Sequence, residues 1–167
     1  MAEILLNTNK KEEKILRGKL GPFRLEPQGK KELQTLIKSM RRAMKEANGI
    51  GLSANQIGVQ KRIFVAQVPD DNGRPKFYAV LNPEILKVSK ETVSLEEGCL
   101  SVPETYGPVE RPARITIQGQ NLQGKKIKIK AWGLLARVFQ HEIDHLDGKL
   151  FIDRAKNLRT SAKLGRE

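Results

Sequence analysis

The chain has 167 residues, which suits one domain with a real hydrophobic core, and no helix-long apolar run that could cross a membrane. Its formal net charge of +12 points to an anionic partner, yet the basic residues are dispersed, aromatic residues make up only 5%, and no nucleic-acid motif accompanies them, so sequence-specific nucleic-acid binding is not expected. Cys99 is the only cysteine, which rules out an intramolecular disulfide and fits a reducing compartment.

The first residues, Met1 to Asn7, lack the long apolar region and cleavage site of a signal peptide, so a cytoplasmic location is expected. Residues 10–17 suit a short helix, broken by Gly18, Gly21 and Pro22. A stronger helix follows over residues 30–47. Leu33, Leu36, Ile37, Met40, Ala43, Met44 and Ala47 mark its apolar face, and Asn48-Gly49 ends it. The stretch 49–58 is rich in small residues and lacks the Gly-Lys-Ser/Thr ending of a phosphate-binding loop. Taken alone it reads as a tight helix-to-strand turn whose glycines allow close backbone approach.

Strands are expected at 62–68 and 77–81, with Asn82-Pro83 stopping the second, and shorter ones at 84–89 and 92–95. Cys99 then falls in a small-residue bend beside Glu97 and Ser101. Residues 113–120 and 125–131 alternate Ile with polar residues around the turn Asn121–Gly124, which predicts a hairpin. The tail 153–167 is polar and reads as a short, frayed helix. No repeat or linker divides the chain, so 1–167 is expected to be a single α+β domain. Antiparallel β-sheets would pack around a buried C-terminal helix.

That C-terminal helix, over residues 131–147, organises the chemistry. Leu134, Leu135, Val138, Phe139, Ile143 and Leu146 recur at helical spacing, and Gly148 provides the stop. It carries His141-Glu142-Ile143-Asp144-His145, an H-E-x-x-H motif, and these are the only two histidines in the chain. Residues four apart share a helix face, so two neutral imidazoles can grip one divalent metal with Glu142 near enough to act on a water there. Leu134 and Val138 fall on the same stripe as the histidines, which is expected to be mostly buried. A catalytic site of this kind needs a third protein ligand and an open position. The thiolate of Cys99 is the natural third ligand. Glu142 is the candidate general base, and the Gln56 amide and the Leu100 N–H are candidate donors to an oxyanion.

Three separated stretches resemble the signature motifs of the peptide deformylase family, in the family's order. Residues 49–56 (GIGLSANQ) are similar to G-x-G-L-A-A-x-Q. Glu97-Gly98-Cys99-Leu100-Ser101 matches E-G-C-L-S, and Gln140 to His145 matches Q-H-E-x-D-H. The resemblance implies hydrolysis of the N-formyl group from the formylmethionine of nascent polypeptides, releasing formate. It implies Cys99, His141 and His145 as ligands of one divalent metal, Fe(II) by preference, with Zn, Ni or Co able to occupy the site. Glu142 would be the base, and Gln56 and Leu100 would hold the formyl oxygen. Gly51 and Gly98 would keep the backbone close to the substrate, and Ile50, Val138 and His141 would form the methionine pocket. Ser53 stands where the family pattern has Ala, and little effect is expected. Thr105-Tyr106 falls where many relatives carry an Arg that binds the peptide backbone.

A monomer without membrane attachment is expected, with weak ribosome association through the basic surface, including the tail's Lys156, Arg159, Lys163 and Arg166. Two other classes compete. A metallopeptidase of H-E-x-x-H type takes a downstream third ligand, which the chain lacks beyond Glu167. An RNA-binding protein with a structural metal wants four ligands, and only three are evident.

Overall fold

Strand β2 (Ile63–Pro69) is apolar at nearly every position because it is covered on both faces. Phe64, Ala66 and Val68 pack into one core with the C-terminal helix, and Ile63 and Val65 into another with the long N-terminal helix. Alternate residues of a strand point to opposite faces, so this one strand separates the two cores. The computed structural model describes residues 2–161. The sheet around β2 has five strands, with β1 (Gly51–Ser53) on one side and β3 (Pro75–Val88), β6 (Arg114–Gln120) and β7 (Lys126–Trp132) following in order on the other, every neighbour antiparallel. A second, three-stranded antiparallel sheet contains β4 (Thr92–Cys99), β5 (Val102–Pro112) and β8 (Arg159–Thr160). The architecture is α+β, with antiparallel sheets against the C-terminal helix.

Helix α1 (Lys10–Leu16) is capped by Asn9, whose side chain accepts from the Lys11 and Glu12 N–H groups. Helix α2 (Lys30–Glu46) buries Leu33, Ile37, Met40, Ala43 and Met44 as one stripe against β1 and β2. Helix α3 (Gly133–Leu146) buries Phe139, Ile143 and Leu146 against Phe64, Ile115 and Ile117. Burying a side chain such as Phe139 fully contributes about 1.5–3 kcal/mol relative to leaving it in water. The C-terminal end of α3 is fixed by Arg62. Its guanidinium donates to the carbonyls of Leu20 and Leu146 (3.0 and 3.4 Å) and to Asp147 Oδ1 (2.8 Å), placing a cation at the negative end of the helix dipole. Gly148 follows with φ of +73°, and a Cβ there would overlap the Arg17 carbonyl, so this stop requires glycine.

Two local expectations change, and one strand lies where none is expected. Asn82-Pro83 does not end a strand: β3 continues through it as a bulge, with the register shifting between Leu81 and Glu84. The Asn82 side chain makes this possible by donating to the Phe23 carbonyl and accepting from the Phe23 N–H. β5 contains Pro103, Gly107, Pro108 and Pro112, residues that carry little strand signal. β8 pairs only with Thr105 and Tyr106, and the Pro108 carbonyl accepts from the Lys156 N–H, so Pro108 turns its main chain away from β4 and costs that pairing no bond. The tail forms a 3-10 turn at Phe151–Asp153 and then β8 rather than a frayed helix, while residues 162–167 lie outside the described region.

Candidate metal centre and active site

α3 presents His141 and His145 from successive turns, and the last residue of β4 brings Cys99 to meet them. His145 Nε2 lies 3.1 Å from Cys99 Sγ and 3.2 Å from His141 Nε2, and the three ligand atoms lie within 4.8 Å of one another. The His141 Nδ1–H donates to Glu97 Oε1 (2.9 Å), which leaves the Nε2 lone pair facing the cluster. Burial, together with the His141 charge, pushes His145 well below its ordinary pKa, so it stays neutral and can ligate. Burial lowers His141 too, but its bonds to Cys99 and Glu97 and the Glu142 charge outweigh this and raise it, so a proton and a cation compete for this pair. A thiol and two imidazoles converging on one point have more lone pairs than protons to share. The donor set fits a divalent cation of intermediate softness.

Glu97 fixes this arrangement. Its Oε2 accepts from Arg111 Nε and Arg137 Nη1, both at 2.6 Å, while Oε1 accepts from Arg111 Nη2 and His141 Nδ1, both at 2.9 Å. Arg111 continues to Asp144 Oδ2 (2.9 Å), and Arg154 grips Asp144 through two bonds of 2.8 and 3.0 Å. Burial alone would push the Glu97 carboxyl up, but the bonds and charges of Arg111 and His141 prevail and hold it well below the usual carboxylate range. Sequence reasoning missed Arg111, Arg137 and Arg154, and gave Asp144 no role beyond its place in the motif. A signal existed: Arg137, Gln140 and Asp144 share one face of an otherwise apolar helix, and buried charges need partners.

Glu142 is buried on the same helix. Its Oε2 lies 2.7 Å from Ser53 Oγ, and a Cβ on Gly51 would collide with its Oε1. Burial raises the Glu142 carboxyl above its ordinary pKa, against the opposing effects of His141 and the Ser53 hydrogen bond. The 3-10 turn Ala54–Ile57 supplies Gln56. Its Oε1 accepts from the Ser53 N–H (2.9 Å), which fixes the amide so that Nε2 faces Ser101 Oγ (3.0 Å) and Cys99 Sγ (3.7 Å). The Ser101 N–H donates to Cys99 Sγ (3.4 Å) and fixes the direction of the sulfur.

Gln56, Glu97, Cys99, Arg137, His141 and Glu142 open onto one cleft of about 510 Å³. Ile50, Gly51, Gln56, Gly98, Cys99, Leu100, Val138, His141 and Glu142, all expected at the site, line it, and His145 lies beneath, 1% exposed. Leu134 departs from the expected buried stripe, being 49% exposed at the cleft wall where a ligand would cover it. Tyr106 also lines the cleft, its ring packed over Gly98, where a Cβ would come within 2.7 Å of it. The stretch 49–58 is more than a turn: it supplies β1, the Gln56 turn and part of the cleft.

Replacing Glu97 with Gln removes the negative charge that two guanidiniums share. Stability at pH 7 is expected to fall by about 3–5 kcal/mol and metal affinity by about 10–100-fold. A depressed carboxyl contributes stability above its unfolded value of 4.5, lost as pH falls below it. The variant should therefore lose less stability than wild type on acidification through this window, as measured by urea unfolding at a series of pH values.

The family model described as "Polypeptide deformylase" matches residues 4–161. A peptide deformylase of Desulforudis audaxviator is 43% identical over 145 residues, covering 86% of this chain and 89% of that one. The crystal structure of a probable peptide deformylase from Synechococcus phage S-SSM7 superposes with a TM-score of 0.82 at 40% identity, covering 92% of this chain and 99% of that one. The Met-Ala-Ser-bound structure of a class I type b peptide deformylase from Acinetobacter baumannii gives 0.80 at 31%, covering 92% and 99%. With the three motifs gathered in one cleft, the chain belongs to the peptide deformylase family, hydrolases that remove the formyl group from an N-terminal methionine.

Proposed function

We propose that Cys99, His141 and His145 hold one divalent metal ion, Fe(II) by preference, and that Glu142 and Gln56 carry out the deformylation of nascent chains beside it. A metal held there supplies Lewis acidity and a water that ionises near neutral pH. Glu142 accepts the proton of the attacking water and returns it to the departing methionyl amine. The Gln56 Nε2 donates to the formyl oxygen as it gains charge, joined by the Leu100 N–H. Burial that raises the Glu142 carboxyl suits this double role, since a group that must take and give a proton works best with a pKa near the working pH. Ile50, Val138 and Leu134 offer the methionine side chain an apolar wall, and Gly51 and Gly98 allow its backbone to approach. The observation that carries the reading is the convergence of Cys99, His141 and His145 beside Glu142 at the floor of an open cleft.

We further propose a monomer in the cytoplasm that meets its substrate at the ribosome. The net charge of +12 supports this, as do Lys126, Lys128 and Lys130, exposed at alternate positions of β7. In the tail, Arg159 is ion-paired with Glu96, while Lys163 and Arg166 lie outside the described residues. Changing the three β7 lysines to Gln should reduce co-sedimentation with ribosomes at low salt, and unchanged co-sedimentation would exclude that face.

Formate release from formyl-Met-Ala-Ser tests the chemistry. Protein prepared without oxygen and loaded with Fe(II) or Ni(II) should release formate rapidly. Glu142→Ala should lower kcat at least about 100-fold, the scale of general acid–base catalysis, while retaining bound metal. A metal-loaded Glu142→Ala variant as active as wild type would remove Glu142 from the mechanism.

A further inference from the structure

Ser53, a difference from the family pattern with little expected effect, touches the candidate base. The side chain is fully buried, and its Oγ lies 2.7 Å from Glu142 Oε2 and 2.9 Å from the Glu142 carbonyl oxygen. The other carboxylate oxygen, Oε1, lies over Gly51, where any Cβ would collide with it. Residues 51 and 53 are alternate positions of one strand and share a face. They bracket a single carboxyl: Gly51 by having no side chain, Ser53 by offering a hydroxyl. The strand is itself held in register, with Gly51 opposite Ala66 and Ser53 opposite Phe64. Among the described residues no hydrogen bond is made to Glu142 Oε1, so Ser53 engages one oxygen and leaves the other beside Gly51 on the cleft lining.

We infer that Ser53 is a positioning residue for Glu142: its hydroxyl donates to Oε2, selects one rotamer of the carboxyl, and directs Oε1 into the cleft. Ser53 also donates its backbone N–H to Gln56 Oε1 (2.9 Å), so one residue orients the base through its side chain and the amide donor through its main chain. Glutamate has three side-chain torsions to fix, and a carboxylate in a buried site without a donor loses both orientation and solvation. An Ala at this position removes the side-chain contact and keeps the backbone one. The inference rests on Glu142 being the base.

The test uses the metal-loaded full chain and formyl-Met-Ala-Ser. Ser53→Ala removes the hydroxyl, and Ser53→Cys keeps most of the volume with a weak donor. Both should lower kcat about tenfold, the worth of one hydrogen bond to a charged group, with KM changed less than about twofold. The absorption spectrum of the Co(II)-loaded Ala variant should match wild type, and its crystal structure should show the Glu142 carboxylate in more than one rotamer. Wild-type kcat in Ser53→Ala, or in Ser53→Cys alone, would overturn the inference, the latter because volume and not the hydrogen bond would then matter. An altered Co(II) spectrum in Ser53→Ala would also overturn it, since the effect would lie in the metal site. Glu142→Ala in the same assay separates the levels: if it stays active the base assignment fails, and if it alone is inactive only the positioning role fails.

Discussion

One carboxylate, Glu97, has four donors arranged around it, and the site's geometry depends on that. It belongs to β4, two residues before the thiol, and its partners come from β5 and α3. A buried carboxylate without partners would cost several kcal/mol, so the two sheet strands and the helix are forced into the one relation that satisfies it. That relation brings Cys99 to His141 and His145. A bond from Glu97 to the far side of the His141 ring also sets which nitrogen faces the cluster. The same interaction therefore locks the small sheet onto the helix and chooses the tautomer of His141.

The rest of the fold serves to hold α3 still from the other side. Strand β2 fills both cores, and β1 beside it reaches the helix with two small residues, so the backbone comes close to Glu142. Arg62 ties off the end of the helix and Gly148 turns the chain away from it. The cleft lies where the two sheets fail to meet over α3. Its floor carries charge and its walls, from Ile50, Leu134 and Val138, are apolar. An apolar wall for a thioether side chain beside a polar floor for a formamide is the division that deformylation of methionine requires.

Much of this was legible in the sequence. Period-3.6 patterns gave α2 and α3, alternating isoleucines gave the β6–β7 hairpin, and each of the three motifs contributes residues to one cleft. What was hidden has physical causes. β5 carries prolines, and the side of Pro108 away from β4 is met by Lys156 rather than by a full strand, an arrangement set far along the chain. β3 continues through a bulge at Asn82, whose side chain bonds Phe23 and, across the sheet, Gln120, residues far away in the chain. Arg111 and Arg137 are buried counterions of Glu97, from which they stand 14 and 40 residues away in the chain. Ser53 looked like a silent replacement for Ala because the hydroxyl's partner, Glu142, is 89 residues away. Local patterns report elements well, and they do not report long-range polar pairs.

The central claim is that Cys99, His141 and His145 hold one metal through one sulfur and two nitrogens, in a site with room for a further small ligand. X-ray absorption spectroscopy of the anaerobically loaded protein, with zinc as the simplest probe, tests it most directly. The expected spectrum has one sulfur at about 2.3 Å and two imidazole nitrogens at about 2.0–2.1 Å, plus a light oxygen donor, with the sulfur shell lost in Cys99→Ser. A first shell without sulfur, or one unchanged by that substitution, would contradict the account.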